Sequence, residues 1–138
     1  ACLTTEKVGK CMSAGTHGST YGGNPLAMAV GNAVLDVMLE PGFLDRVQQV
    51  SSHLRQQLAR VVEKHPGVVR DVRGVGLMLG LECVKPNTAL QAALLKEGVL
   101  TVTAGDNVLR LAPPLIIGEA EIGEAAGKLD RACAELSA

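Results

Sequence analysis

Aromatic side chains are almost missing from this sequence, which holds one Tyr, one Phe and no Trp in 138 residues. A protein that stacks nucleobases needs such rings, so single-stranded nucleic acid is an implausible partner. A dominant charge is missing as well. Thirteen Lys and Arg stand against fourteen Asp and Glu, a balance that produces no broad positive field for a phosphate backbone or an anionic membrane. The four cysteines, Cys2, Cys11, Cys83 and Cys133, include no C-x-x-C pair. Neither a metal site nor a disulfide framework is indicated, and reduced thiols are expected. No apolar run approaches the roughly twenty residues that span a bilayer, and no signal-peptide succession opens the chain. A soluble, cytoplasmic protein is therefore expected. An initiator Met is also absent, since the sequence begins at Ala1, and it reads as cut from something longer.

Apolar residues nevertheless make up 47% of the chain, so a core of Leu, Val, Ile and Ala is expected, in a length that suits one compact domain. Residues 2–5 read as a strand, followed by a glycine-rich ordered loop over residues 9–23. Asn24 and Pro25 then predict a helix start, with Asn as cap and Pro just inside. That helix should run to Glu40 with an apolar first turn buried on several sides. Pro41 and Gly42 break it, and a second, one-striped helix follows from Phe43 until His65, Pro66 and Gly67 end it. Residues 68–82 read as two extended pieces hinged about residues 73–76. A short helix capped by Asn87 or Thr88 should reach Lys96, with Gly98 just past its end. Two strands, residues 99–103 and 108–112, flank a turn-forming Gly105, Asp106 and Asn107. A last helix covers residues 119–136. Strands and helices without a repeated strand-helix-strand rhythm predict an α+β fold.

Two stretches carry chemistry. In residues 15–27, GTHGSTYGGNPLA, the neighbouring hydroxyls of Ser19 and Thr20 sit on a Gly-bracketed loop just before a helix, a place suited to an anion. The alternative is a tight turn in which these hydroxyls satisfy local backbone. In residues 108–115, VLRLAPPL, Arg110 is a lone cation in an apolar strand. Its planar fork suits a carboxylate, which could equally be an Asp or Glu of the same chain. Gly74 and Gly76 read as a structural bend.

The first stretch closely resembles the segment with which class III pyridoxal-phosphate (PLP) aminotransferases reach across their dimer interface to the cofactor phosphate of the partner subunit. The R-x-x-P-P pattern at Arg110 is similar to the place where that family holds the substrate carboxylate. The resemblance implies that Thr20, with Ser19 beside it, binds the phosphate of PLP and that Arg110 binds the substrate. It implies a homodimer and the fold-type I PLP transferase architecture: residues 1–23 end the large domain, residues 24–64 are connecting helices and residues 65–138 form the small C-terminal α+β domain. Within the family the implied reaction moves an amino group from N-acetylornithine to 2-oxoglutarate. Enzymes for ornithine, succinylornithine and 4-aminobutyrate share the same motifs. The cofactor-bearing lysine would lie upstream of Ala1, because Lys7 and Lys10 do not occupy its position, so no catalytic residue is expected here. The family gives His17 no proton-transfer role. The competing reading is a non-enzymatic α+β module that binds a partner or dimerises.

Overall fold

The computed structural model describes residues 3–137, and the chain divides into two compact units, residues 1–40 and 41–138. In the first unit a short helix α1, Glu6–Gly9, is followed by turns and by α2, Pro25–Met38. The helix α1 lies between the expected strand and the expected loop, in residues for which no element was expected, and overlaps the loop only at Gly9. Residues 3–5 form no strand, since an extended segment becomes one only when a neighbour completes its ladder, and the sheet contains none of them. Cys2, the first residue of that expected strand, lies outside the described residues. Asn24 caps α2 as anticipated, its Oδ1 accepting from the amide of Ala27 at 3.0 Å. No residue of α2 is buried. Its apolar first turn instead stays open, with Leu26 at 73% exposure, because apolarity creates a demand for burial that only a packed neighbour can meet.

The second unit comprises α3 (Phe43–Lys64), β1 (Val69–Val75), β2 (Met78–Cys83), α4 (Asn87–Lys96), β3 (Val102–Ala104), β4 (Val108–Leu111) and α5 (Glu119–Ser137). The strands form one antiparallel sheet in the order β1-β2-β4-β3. One face of it carries the three helices. Leu79, Leu81 and Leu109 point into the core, at 1%, 0% and 0% exposure, against Leu54 and Leu58 of α3, Leu90 and Leu94 of α4, and Ile122 and Leu129 of α5. With no ring larger than the partly buried Phe43, this packing rests on aliphatic side chains, each contributing roughly 1.5–3 kcal/mol when fully buried. The architecture is α+β, as the pattern of elements predicts.

Several loop ends are tied by side chains. Arg46 of α3 donates to the carbonyls of Leu115, Ile116 and Ile117, acceptors stranded where Pro113 and Pro114 take the chain out of the sheet. Ser51 Oγ donates to the carbonyl of Gly76 at 2.6 Å, and Arg55 to those of Val72 and Gly74. Behind α3, the buried His65 donates from Nε2 to Asp130 Oδ1 at 2.7 Å, while Lys64 reaches Oδ2 at 2.6 Å. These two partners, Lys64 first, hold the Asp130 carboxyl below its ordinary range.

One capping expectation changes. Asn87 is the first residue of α4, but Pro86 precedes it as cap without a side-chain bond. The Asn87 side chain donates instead to the carbonyls of Ala104 and Val108, so it ties the helix to the β3–β4 hairpin. The first turn of α4 is served from outside the helix, where Asn107 Oδ1 accepts from the amide of Asn87 at 2.8 Å. Among the described residues no single helix is long and apolar enough to cross a membrane.

Candidate functional site

Ser19 and Thr20 lie in the first unit on an exposed turn that runs into α2. The amide of Gly22 donates to the Ser19 carbonyl at 3.1 Å and the amide of Asn24 to the Tyr21 carbonyl at 3.0 Å. A Cβ on Gly22 would stand 3.2 Å from that Ser19 carbonyl oxygen, and Gly23 takes a φ of 75°. Both positions therefore favour glycine, for closeness in one case and for left-handed backbone in the other. Thr16 closes its own turn, donating from Oγ1 to the Ser13 carbonyl at 2.7 Å. The hydroxyls of Ser19 and Thr20 make no such bond to the described residues. They remain available as donors beside the N-terminus of a 14-residue helix whose first turn holds no acidic residue. That end of the helix carries partial positive charge. A phosphate monoester fits this donor set: two hydroxyls, a positive helix end and no competing carboxylate.

Arg110 lies in the second unit, on β4, between Gly80 of β2 and Val102 of β3. Its neighbours Leu109 and Leu111 point into the core, so strand alternation turns Arg110 to the opposite face of the sheet. There it is exposed. The desolvation cost expected of an arginine in an apolar strand does not arise, and no carboxylate of the described residues pairs with it. It borders a groove of about 290 Å³ lined also by Arg73, Gly74, Met78, Gly80 and Val108. Arg73 and Gly80 are the residues that motif reading passed over in this groove. For Gly80 a signal was available in the alternation of Met78, Gly80 and Glu82 against Leu79 and Leu81, which turns it away from the apolar face; Arg73 came into view only with the strand register. The bend about Gly74 and Gly76 is as expected: both have positive φ, 134° and 57°, and a Cβ on Gly74 would collide with the Met78 carbonyl oxygen.

Lys10 is engaged by Glu6 at 2.9 Å on the exposed α1. Three thiols are described and all are free: Cys11 is exposed, Cys83 and Cys133 are buried. Burial pushes both buried thiols up, Cys133 to about 12 with a further contribution from nearby Cys83. Neither is a nucleophile at neutral pH.

A family model for class III aminotransferases matches residues 1–133. The chain belongs to the class III aminotransferase family. It is 56% identical over 137 residues to acetylornithine aminotransferase 1 of Bradyrhizobium diazoefficiens, a match that covers 99% of this chain and 34% of the relative. With the acetylornithine aminotransferase of Brucella melitensis the identity is 53%, over the same shares of the two chains. Among solved structures, acetylornithine aminotransferase from Elizabethkingia anophelis superposes with a TM-score of 0.76 at 32% identity, covering 96% of this chain and 36% of that one. An ornithine aminotransferase of Toxoplasma gondii, described with PLP partly occupying its active site, gives 0.76 at 28% identity over 94% and 32%. This class III aminotransferase chain thus spans about a third of the length of the curated relatives it matches.

Proposed function

We propose that this chain is the C-terminal part of an acetylornithine aminotransferase, a cytoplasmic homodimer that moves the amino group of N-acetylornithine to 2-oxoglutarate in two half-reactions. The observation that carries the substrate is the 56% identity to a relative of that name along nearly the whole chain. The site adds two features that this reading uses: unengaged hydroxyls at Ser19 and Thr20, and an unpaired guanidinium at Arg110 on an open sheet face. When bound, PLP supplies the electron sink on which amino-group transfer depends. Thr20, seconded by Ser19, would donate to its phosphate from across the subunit interface. Arg110 would grip the substrate carboxylate with both arms of its fork, which fixes the orientation of the amino group as well as its affinity. The domain division that goes with this reading puts the end of the large domain at residues 1–23, the connecting helices at 24–64 and the small domain at 65–138. The lysine that carries the cofactor would belong to polypeptide outside these 138 residues, so the chain alone should have no transaminase activity.

Two variants of the full-length protein test the assignment. Arg110→Lys keeps the charge and loses the bidentate geometry, and should reduce kcat/KM for glutamate by an amount on the order of 2–4 kcal/mol with cofactor affinity little changed. Thr20→Val should weaken PLP retention by roughly 1–3 kcal/mol, the cost of an unmet bond to a charged group, and affect the amino-acid carboxylate less. Loss of PLP in Arg110→Lys with intact glutamate kinetics would refute the assignment.

A further inference from the structure

The sheet register places Arg73, Gly80, Arg110 and Val102 side by side, one from each strand, in a single row. Since cross-strand partners share a face, Arg73 and Arg110 stand on the same open surface with only a glycine between them. Strand spacing sets their Cα atoms roughly 10 Å apart, a gap that two flexible arginine side chains can close onto one ligand. Like charges in one row repel. The other arginines of the sheet and two of the three on α3 are engaged: Arg70 with Glu82, Arg46 and Arg55 with backbone carbonyls. Arg73 and Arg110 have neither an ion-pair nor a hydrogen-bond partner among the described residues. The acidic residues of that face, Asp71 and Glu82, pair with each other's positions one row away, and Glu82 is already held by Arg70.

We propose that Arg73 is a second anion-binding arginine of the Arg110 groove, so that a carboxylate ligand sits between two guanidiniums over Gly80. The inference rests on the reading of Arg110 as the carboxylate-binding arginine and adds a residue to it. Gly80 serves the site by having no side chain: a Cβ there would stand 2.7 Å from Val108 Cγ1 and 3.9 Å from Arg73 Cγ, in the gap between the two cations. The remaining lining is apolar, with Met78, Ala104 and Val108. Two cations over an apolar floor select a short aliphatic carboxylate rather than a bare inorganic anion, because the methylenes gain burial that the anion alone does not offer. The Arg73 guanidinium makes no hydrogen bond or ion pair among the described residues, so its substitution should leave the fold intact.

The test is calorimetric titration of glutarate, a five-carbon dicarboxylate that can neither give nor take an amino group, into the full-length PLP-loaded protein. Arg73→Gln should weaken glutarate binding by about 5- to 20-fold, the lower range for a charge-assisted contact at an exposed site, and Arg73→Lys should recover part of it. The salt dependence of binding should also become shallower in Arg73→Gln, since one cation fewer faces the ligand. Gly80→Ala, with PLP content unchanged, should weaken glutarate as well. If Arg73→Gln binds within about twofold of wild type while Arg110→Gln loses the ligand, Arg73 is not part of the site and the role of Arg110 stands, since a real charge-assisted contact would cost more than that. If both variants bind as wild type does, both readings fail.

Discussion

Asn107 is where one side chain bears most on the placement of Arg110, and its removal should be expensive. Asp106 and Asn107 both have positive φ, 56° and 55°, the backbone that a type I′ turn between strands requires. From this turn Asn107 Nδ2 donates to the carbonyls of Cys83 and Lys85 at 2.7 and 3.0 Å, and its Oδ1 accepts from the amide of Asn87 at 2.8 Å. One residue thus joins the end of β2, the start of α4 and the entry to β4, three residues before Arg110. Asn107→Ala removes these three bonds, of which the partly buried one to Cys83 is worth about 1 kcal/mol and the two exposed ones about half that each. Alanine in a left-handed conformation costs about 1 kcal/mol more, which brings the whole to about 3 kcal/mol. Asn107→Gly loses the same bonds without the strain and should cost about 2 kcal/mol. Urea unfolding of both variants, followed by far-ultraviolet circular dichroism, reads these differences directly. A loss below about 0.5 kcal/mol in Asn107→Ala would refute the bonding argument, and equal losses in the two variants would refute the strain argument.

The remaining predictions concern protons and thiols. The Asp130 carboxyl is held below its ordinary value of 3.8, first by Lys64 and then by His65, so its contribution to stability is present above that value and lost as pH falls through the lower, folded one. The stability gap between wild type and Asp130→Asn should therefore shrink as pH falls from about 4 toward 2; a gap that widens over that range would contradict the assignment. Because Cys133 is pushed up to about 12 and Cys83 is raised by burial while Cys11 is exposed, a disulfide reagent should modify only Cys11 promptly in a Cys2→Ser background, and the buried pair only on unfolding. Prompt reaction at Cys83 or Cys133 would count against that burial.

Apolar periodicity and turn chemistry are local properties, and they located the elements well. The stripe of Val47, Val50, Leu54, Leu58 and Val61 runs along one side of α3, and all five are buried. Gly98 takes its left-handed φ of 77° just past α4, and the strands on either side of Asp106 and Asn107 pair as a hairpin. Ser19, Thr20 and Arg110 stood out because they sit in short motifs of mixed chemistry, and the roles proposed for them come from the family resemblance of those motifs. Other features depended on residues far apart in the chain. The sequence alone determined where the five elements from α2 to α4 and the last helix begin, to within a residue or two, and which face of each is apolar, since these follow from dihedral preference and the alternation of side chains along the backbone. Only the tertiary structure decided that Asn87 serves a hairpin and not its own helix, that Arg46 clamps carbonyls some seventy residues away, and that Arg73 stands in one row with Arg110. Strand order and register set those neighbours, and both are chosen by the packing of the whole unit.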